Sequence, residues 1–137
     1  MAHINWLAVL VAAVVYFFFG SLWYQVLFRK LWAREAGIKM DNPPKGSAMM
    51  MMMLKSFLGN LLSVIGIAFL LCYAHNGAGE CMRAAKIGAV AGFGVAGGGL
   101  WINYNWHGKS VLLWCIDTGY FTIGCALAAV IISWMSC

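Results

Sequence analysis

INWLAVLVAAVVYFFFGSLWYQVLF, residues 4–28, runs for 25 residues without a charged side chain. About 20 apolar residues in a helix cross a hydrocarbon core of about 30 Å. The inner run Ala8-Val9-Leu10-Val11-Ala12-Ala13-Val14-Val15 does not alternate apolar with polar, as a barrel strand must. A helix satisfies every backbone group within its own segment, which lipid demands. A cleaved signal peptide begins with a basic region and ends its shorter apolar core at small residues. Residues 1–6 hold no Lys or Arg, and the run closes on Trp23, Tyr24 and Phe28. The stretch therefore reads as a retained membrane-spanning helix.

Three more stretches lack charge: Ser56–Ala74, Ile87–Trp106 and Thr118–Cys137, the last beginning earlier, near Val111. The spans are placed at about 4–28, 52–74, 84–104 and 111–135. Together they fill the 137 residues, so one four-helix transmembrane domain occupies the whole chain. The composition agrees: 64% hydrophobic, 9% charged, mean hydropathy +0.83. A soluble domain has about 45–50% apolar and about 25% charged residues. A small globule cannot hide that much apolar surface from water. These numbers exclude a soluble enzyme, a disordered tail and a nucleic-acid-binding domain.

The net charge of +5 is unevenly spread. Arg29, Lys30, Arg34, Lys39, Lys45 and Lys55 cluster around the first loop, with Lys109 in the third; the second has Arg83 and Lys86. With four spans, loops one and three share a side, giving seven basic residues against two. Positive loops stay in the cytoplasm, so both termini are expected on the non-cytoplasmic side. The seven tryptophans fall near span ends, as interfacial anchors do. In the first loop, Leu31–Ala36 followed by Gly37 reads as a short interfacial helix with a glycine stop. Asp41-Asn42-Pro43-Pro44-Lys45-Gly46 is a turn, since proline lacks a donor and fixes φ.

Asn5-Trp6-Leu7, then Gly20-Ser21-Leu22-Trp23-Tyr24 and a basic loop, resembles the start of a bacterial family of small four-span proteins, domain of unknown function 1761. Leu113-Trp114-Cys115-Ile116-Asp117-Thr118-Gly119-Tyr120 and the terminal Trp134 are similar to its ending. The resemblance covers nearly the whole chain. It implies a multi-pass protein of the bacterial inner membrane with no established activity. The run Met49–Met53 and the triple glycine at 97–99 are not part of it.

Small residues mark packing faces, because packing drives helix association in lipid. In span three Gly88, Gly92 and Gly99 share one face, and Ala91, Gly94 and Gly98 an adjacent one, which suits a helix buried among neighbours. In span two Lys55, Gly59, Ser63 and Gly66 share a face, and in span four Asp117, Tyr120, Gly124 and Ala128 do. Lys55 and Asp117 each lie six residues inside their spans from the same side, about 9 Å deep at about 1.5 Å per residue. Equal depth makes them a candidate intramembrane ion pair. The alternative is two independent side chains, each reaching water or headgroups. The bland reading of Asp117 is a shallow anchor of the bundle. The functional one is an intramembrane acid, which marks ion or proton pathways.

The remaining chemistry-bearing residues read as structural. Met49–Met53 point all round a helix and act as apolar filler rather than a Cu(I) site. His3, His75 and His107 are interfacial; only the first two match in depth. Cys72, Cys81 and Cys137 fall near the outer side, where one disulfide is an open alternative to free thiols. Cys115 and Cys125 read as small apolar residues. There is no Ser-His-Asp set, zinc spacing or phosphate loop. The expectation is a small structural or accessory membrane subunit packing on partner helices, without catalytic activity, cofactor, metal or nucleic acid. Its partners are the bilayer and a second copy or a larger membrane complex. The alternative is an oligomeric small-solute or ion transporter or channel.

Overall fold

The computed structural model describes residues 4–74 and 81–136, and among these all regular structure is helical. Helix α1 (Trp6–Leu22) opens on Asn5, whose side chain accepts from the Ala8 N–H at 3.1 Å. That bond satisfies one of the N–H groups a helix start leaves unpaired. The same side chain donates to the Met135 carbonyl at 2.9 Å, tying the start of the first span to the end of the last. A π-helical turn, Trp23–Leu27, extends α1. The short α2 (Arg29–Ala36) stops at Gly37, with φ of 73°, a left-handed cap that glycine adopts without a steric penalty.

Helix α3 (Ser47–Tyr73) starts five residues earlier than the expected span. The prolines at 43 and 44 and Gly46, at φ 61°, block the chain upstream. The methionines that follow are strong helix formers, so the helix begins at once. The third long helix, Cys81–Trp106, is α4 (Cys81–Val90), a π-helical stretch Ala91–Gly97, and α5 (Gly98–Trp106). Gly108, at φ 62°, turns the chain into α6 (Val111–Met135). Ser110 caps α6 by accepting from the Leu113 N–H at 3.1 Å.

Four helices are long and apolar enough to cross a membrane: Trp6–Leu27, Ser47–Tyr73, Cys81–Trp106 and Val111–Met135. The hub is α6, which packs on α1, α3, α4 and the π-helical stretch. Half of its most apolar window is buried inside the bundle, against 17% for α3 and for Cys81–Trp106. The third span is thus packed along one side rather than enclosed. Its packed side is lined by Gly88, Gly92 and Gly97. A side chain at Gly88 would collide with the backbone of Cys125 and Ala126, and one at Gly92 with that of Phe121 and Thr122. The π turn inserts a residue, which brings Gly97 rather than Gly99 back onto α6. Gly94, Gly98 and Gly99 have no atom within 4 Å of a built Cβ, so the second small face packs on the core at Ala91 and is left open at Gly94 and Gly98 among the described residues.

Candidate functional site

The interior between α1 and α6 is filled by aromatic rings seated on glycines. Tyr16, 1% exposed, lies over Gly124, where any Cβ would run into the ring. Tyr120 lies over Gly20, where a Cβ would stand 2.9 Å from the Tyr120 hydroxyl. The same Tyr-xxx-Gly spacing on two antiparallel helices, Tyr16 with Gly20 and Tyr120 with Gly124, thus makes a reciprocal seat. The two tyrosine rings meet at 5.1 Å, and Phe19 stacks on Tyr120 at 5.8 Å and 9°. The Tyr120 hydroxyl donates to Asn60 Oδ1 on α3 at 3.0 Å. Among the described residues Asn60 is the buried polar side chain of α3.

One turn nearer the start of α6 sits Asp117, 6% exposed. Its Oδ1 accepts from the Tyr24 hydroxyl at 2.7 Å and its Oδ2 from the Tyr104 hydroxyl at 2.5 Å. Tyr24 comes from the π turn after α1 and Tyr104 from α5, so one carboxyl joins three spans. Trp23 Nε1 donates to the Ile116 carbonyl at 3.1 Å, and Trp114 Nε1 to the Gly97 carbonyl at 2.8 Å. Trp32 of α2 packs on Tyr24 at 5.1 Å. A buried carboxyl with both oxygens hydrogen-bonded is what a low-dielectric interior requires. Next to it the Thr118 hydroxyl is buried with no hydrogen-bond partner.

The structure does not bring Lys55 to Asp117. Lys55 is exposed on the outer side of α3, and the ion pair formed among the described residues is Arg34–Glu35 at 2.9 Å. The reason is rotational. Asn60 and Val64, not Lys55 and Gly59, face α6. Lys55, Gly59, Ser63 and Gly66 do share a face, but it points away from the bundle, and nothing lies within 4 Å of a Cβ at Gly59 or Gly66. Ser63 bonds back to the Gly59 carbonyl at 3.1 Å. The sequence reading also missed Tyr24, Tyr104 and Asn60 as the partners of the core. The repeated Tyr-xxx-Gly spacing was visible, whereas the contacts to Asp117 depend on two π turns that spacing alone does not show.

Outside the spans, Glu35 accepts from the Ser110 hydroxyl at 2.5 Å and from Arg34 Nε at 3.0 Å. The Ser110 bond, then Arg34, holds its carboxyl below the ordinary glutamate value. Met49–Met53 are all exposed in the first turns of α3. Cys72, Cys81, Cys115 and Cys125 are free thiols. Tyr16 and Cys125 stand 3.9 Å apart at oxygen and sulfur. His107 Nδ1 lies 2.8 Å from the Asn103 carbonyl. His3, His75 and Cys137 lie outside the described residues. Among the described residues no three His, Cys, Asp or Glu side chains converge as metal ligands would.

A family model described as "Protein of unknown function (DUF1761)" matches residues 7–133. No curated protein and no solved structure matches the chain.

Proposed function

The chain belongs to the DUF1761 family of proteins of unknown function, and on that premise we propose that it is a small accessory subunit of the bacterial cytoplasmic membrane, docking partner helices on the outer face of α3. Both termini then lie on the non-cytoplasmic side, which the seven-to-two division of basic residues supports. The observation that carries the docking is how the chain spends its small residues. Gly88, Gly92 and Gly97 are consumed against α6 inside the chain. Gly59, Ser63 and Gly66 lie at helical spacing on one face, and among the described residues nothing stands within 4 Å of a Cβ at Gly59 or Gly66. Glycine inside a helix costs about 1 kcal/mol relative to alanine. At Gly59 and Gly66 no close contact among the described residues offsets that cost, whereas close approach of a partner helix does.

The test is gentle detergent extraction of the protein at its native level, with wild type compared with Ser63→Leu and with Leu58→Ala, on a different side of α3. The expected result is a stoichiometric complex, or a homo-oligomer, lost in Ser63→Leu and kept in Leu58→Ala. A monomer in all three refutes the docking reading.

A second reading, an oligomeric ion or small-solute transporter, is favoured by one observation, the buried Asp117. Flux into proteoliposomes that Asp117→Asn abolishes would support it over the accessory role.

A further inference from the structure

We propose that the recess at the turn between α5 and α6 binds the phosphate headgroup of an anionic phospholipid. The recess is lined by Trp101, Tyr104, Asn105, Lys109, Ser110 and Trp114, with a volume of about 80 Å³. That leaves room for a phosphate-sized group.

Most polar atoms around it are already engaged. Tyr104 donates to Asp117, and Trp114 donates to the Gly97 carbonyl. Ser110 donates to Glu35 and accepts from the Leu113 N–H. Three side chains keep donors for a ligand: Lys109, Asn105 and Trp101, whose indole N–H makes no hydrogen bond among the described residues. Lys109 Nζ makes a single long contact, 3.5 Å, to the Ala36 carbonyl, which leaves further N–H donors. The Asn105 side chain is exposed and makes no hydrogen bond among the described residues.

The charges there also resolve to one sign. Glu35 is paired with Arg34 and bonded by Ser110. Asp117 is enclosed behind the Tyr104 hydroxyl. Lys109 is left as the uncompensated charge at the recess. It belongs to an end of the bundle that carries seven basic residues against the acids Glu35, Asp41 and Asp117. Basic pockets between spans on the cytoplasmic side suit acidic headgroups.

The surface next to the recess argues for a lipid rather than free phosphate. Trp101 and Trp114 meet edge to face at 5.1 Å, and Phe93 packs on Trp114 at 6.2 Å. Val90, Phe93 and Ile102 are 71%, 58% and 63% exposed along the same span. A headgroup held at Lys109 would lay its acyl chains over that apolar strip, with the indoles at headgroup level as tryptophans prefer.

The inference is independent of the docking on α3 but rests on the membrane placement. The test is native mass spectrometry of the purified chain in mild detergent with phosphatidylglycerol or phosphatidylcholine of identical acyl chains. Wild type should retain at least threefold more phosphatidylglycerol. Lys109→Gln should abolish that preference, Lys109→Arg should keep it, and Lys45→Gln, in the first loop, should leave it unchanged. Asn105→Leu should weaken it, giving a second variant on the recess. Equal retention of both lipids, or equal loss in Lys45→Gln and Lys109→Gln, overturns the site in favour of diffuse charge. Inorganic phosphate at millimolar concentration that displaces the lipid overturns the lipid assignment. Carbonate extraction of membranes separates the two premises: recovery in the soluble fraction overturns the membrane placement, while membrane recovery without lipid preference overturns the recess alone.

Discussion

Gly92→Ala adds one methyl group, and the structure gives both its sign and its size. A Cβ at Gly92 would lie 2.7 Å from the Phe121 carbonyl carbon and the Thr122 Cα. Carbon atoms in contact sit at about 3.5–4.0 Å, so the third span and α6 must part by about 1 Å. A gap of that size forfeits a quarter to a half of each dispersion contact along the interface. Overpacking of this kind costs about 1–3 kcal/mol. The upper part of that range applies, because the obstructing atoms are backbone and have no rotamer to escape into. Gly98→Ala is the matched control. No atom lies within 4 Å of its Cβ, and alanine removes a helix penalty of up to about 1 kcal/mol. The two substitutions should therefore move stability in opposite directions. Reversible unfolding in mixed micelles, followed by circular dichroism as the denaturing detergent fraction rises, measures both. Gly92→Ala as stable as wild type, or equal to Gly98→Ala, would refute the close approach at Gly92.

Three further outcomes follow. Tyr24→Phe should cost about 1 kcal/mol and Asp117→Leu about 2–4, since the latter leaves the Tyr24 and Tyr104 hydroxyls without their acceptor; the coupling of Lys55→Met with Asp117→Leu in a double-mutant cycle should be near zero, and a coupling above about 1 kcal/mol would restore the ion pair. Glu35 has a folded-state pKa depressed below its ordinary 4.5, first by the Ser110 bond and then by Arg34; its contribution is present above that ordinary value and is lost as pH falls through the lower folded value. Thermal melts from pH 6 to pH 3 should show wild type losing more stability than Glu35→Gln, and identical slopes would sink the Glu35–Ser110 link.

Charge-free length made the four helices legible, and backbone rules made their punctuation legible. Gly37 stops a helix, and the prolines at 43 and 44 bar one, where turn chemistry places them. Helical spacing also placed Lys55, Gly59, Ser63 and Gly66 on one face, and Asp117, Tyr120 and Gly124 on another. What spacing could not give is which way a face points. A stripe of small residues reads the same whether a helix of this chain or another covers it, and in α3 the deciding residue was Asn60, on the opposite stripe. The face of span three shifted for a different reason. A π turn moves the contact from Gly99 to Gly97, and a strict 3.6-residue period cannot anticipate it. The tyrosine cage of Asp117 depends on two such turns, so its members lay scattered in the sequence at 24, 104 and 117.

The most direct measurement is photocrosslinking in intact membranes from a reactive side chain placed at position 63, with position 58 as the control on another side of α3. A discrete protein adduct from position 63 and lipid adducts alone from position 58 are expected if partner helices pack on Lys55, Gly59, Ser63 and Gly66. Lipid adducts alone from both positions would contradict docking on that face.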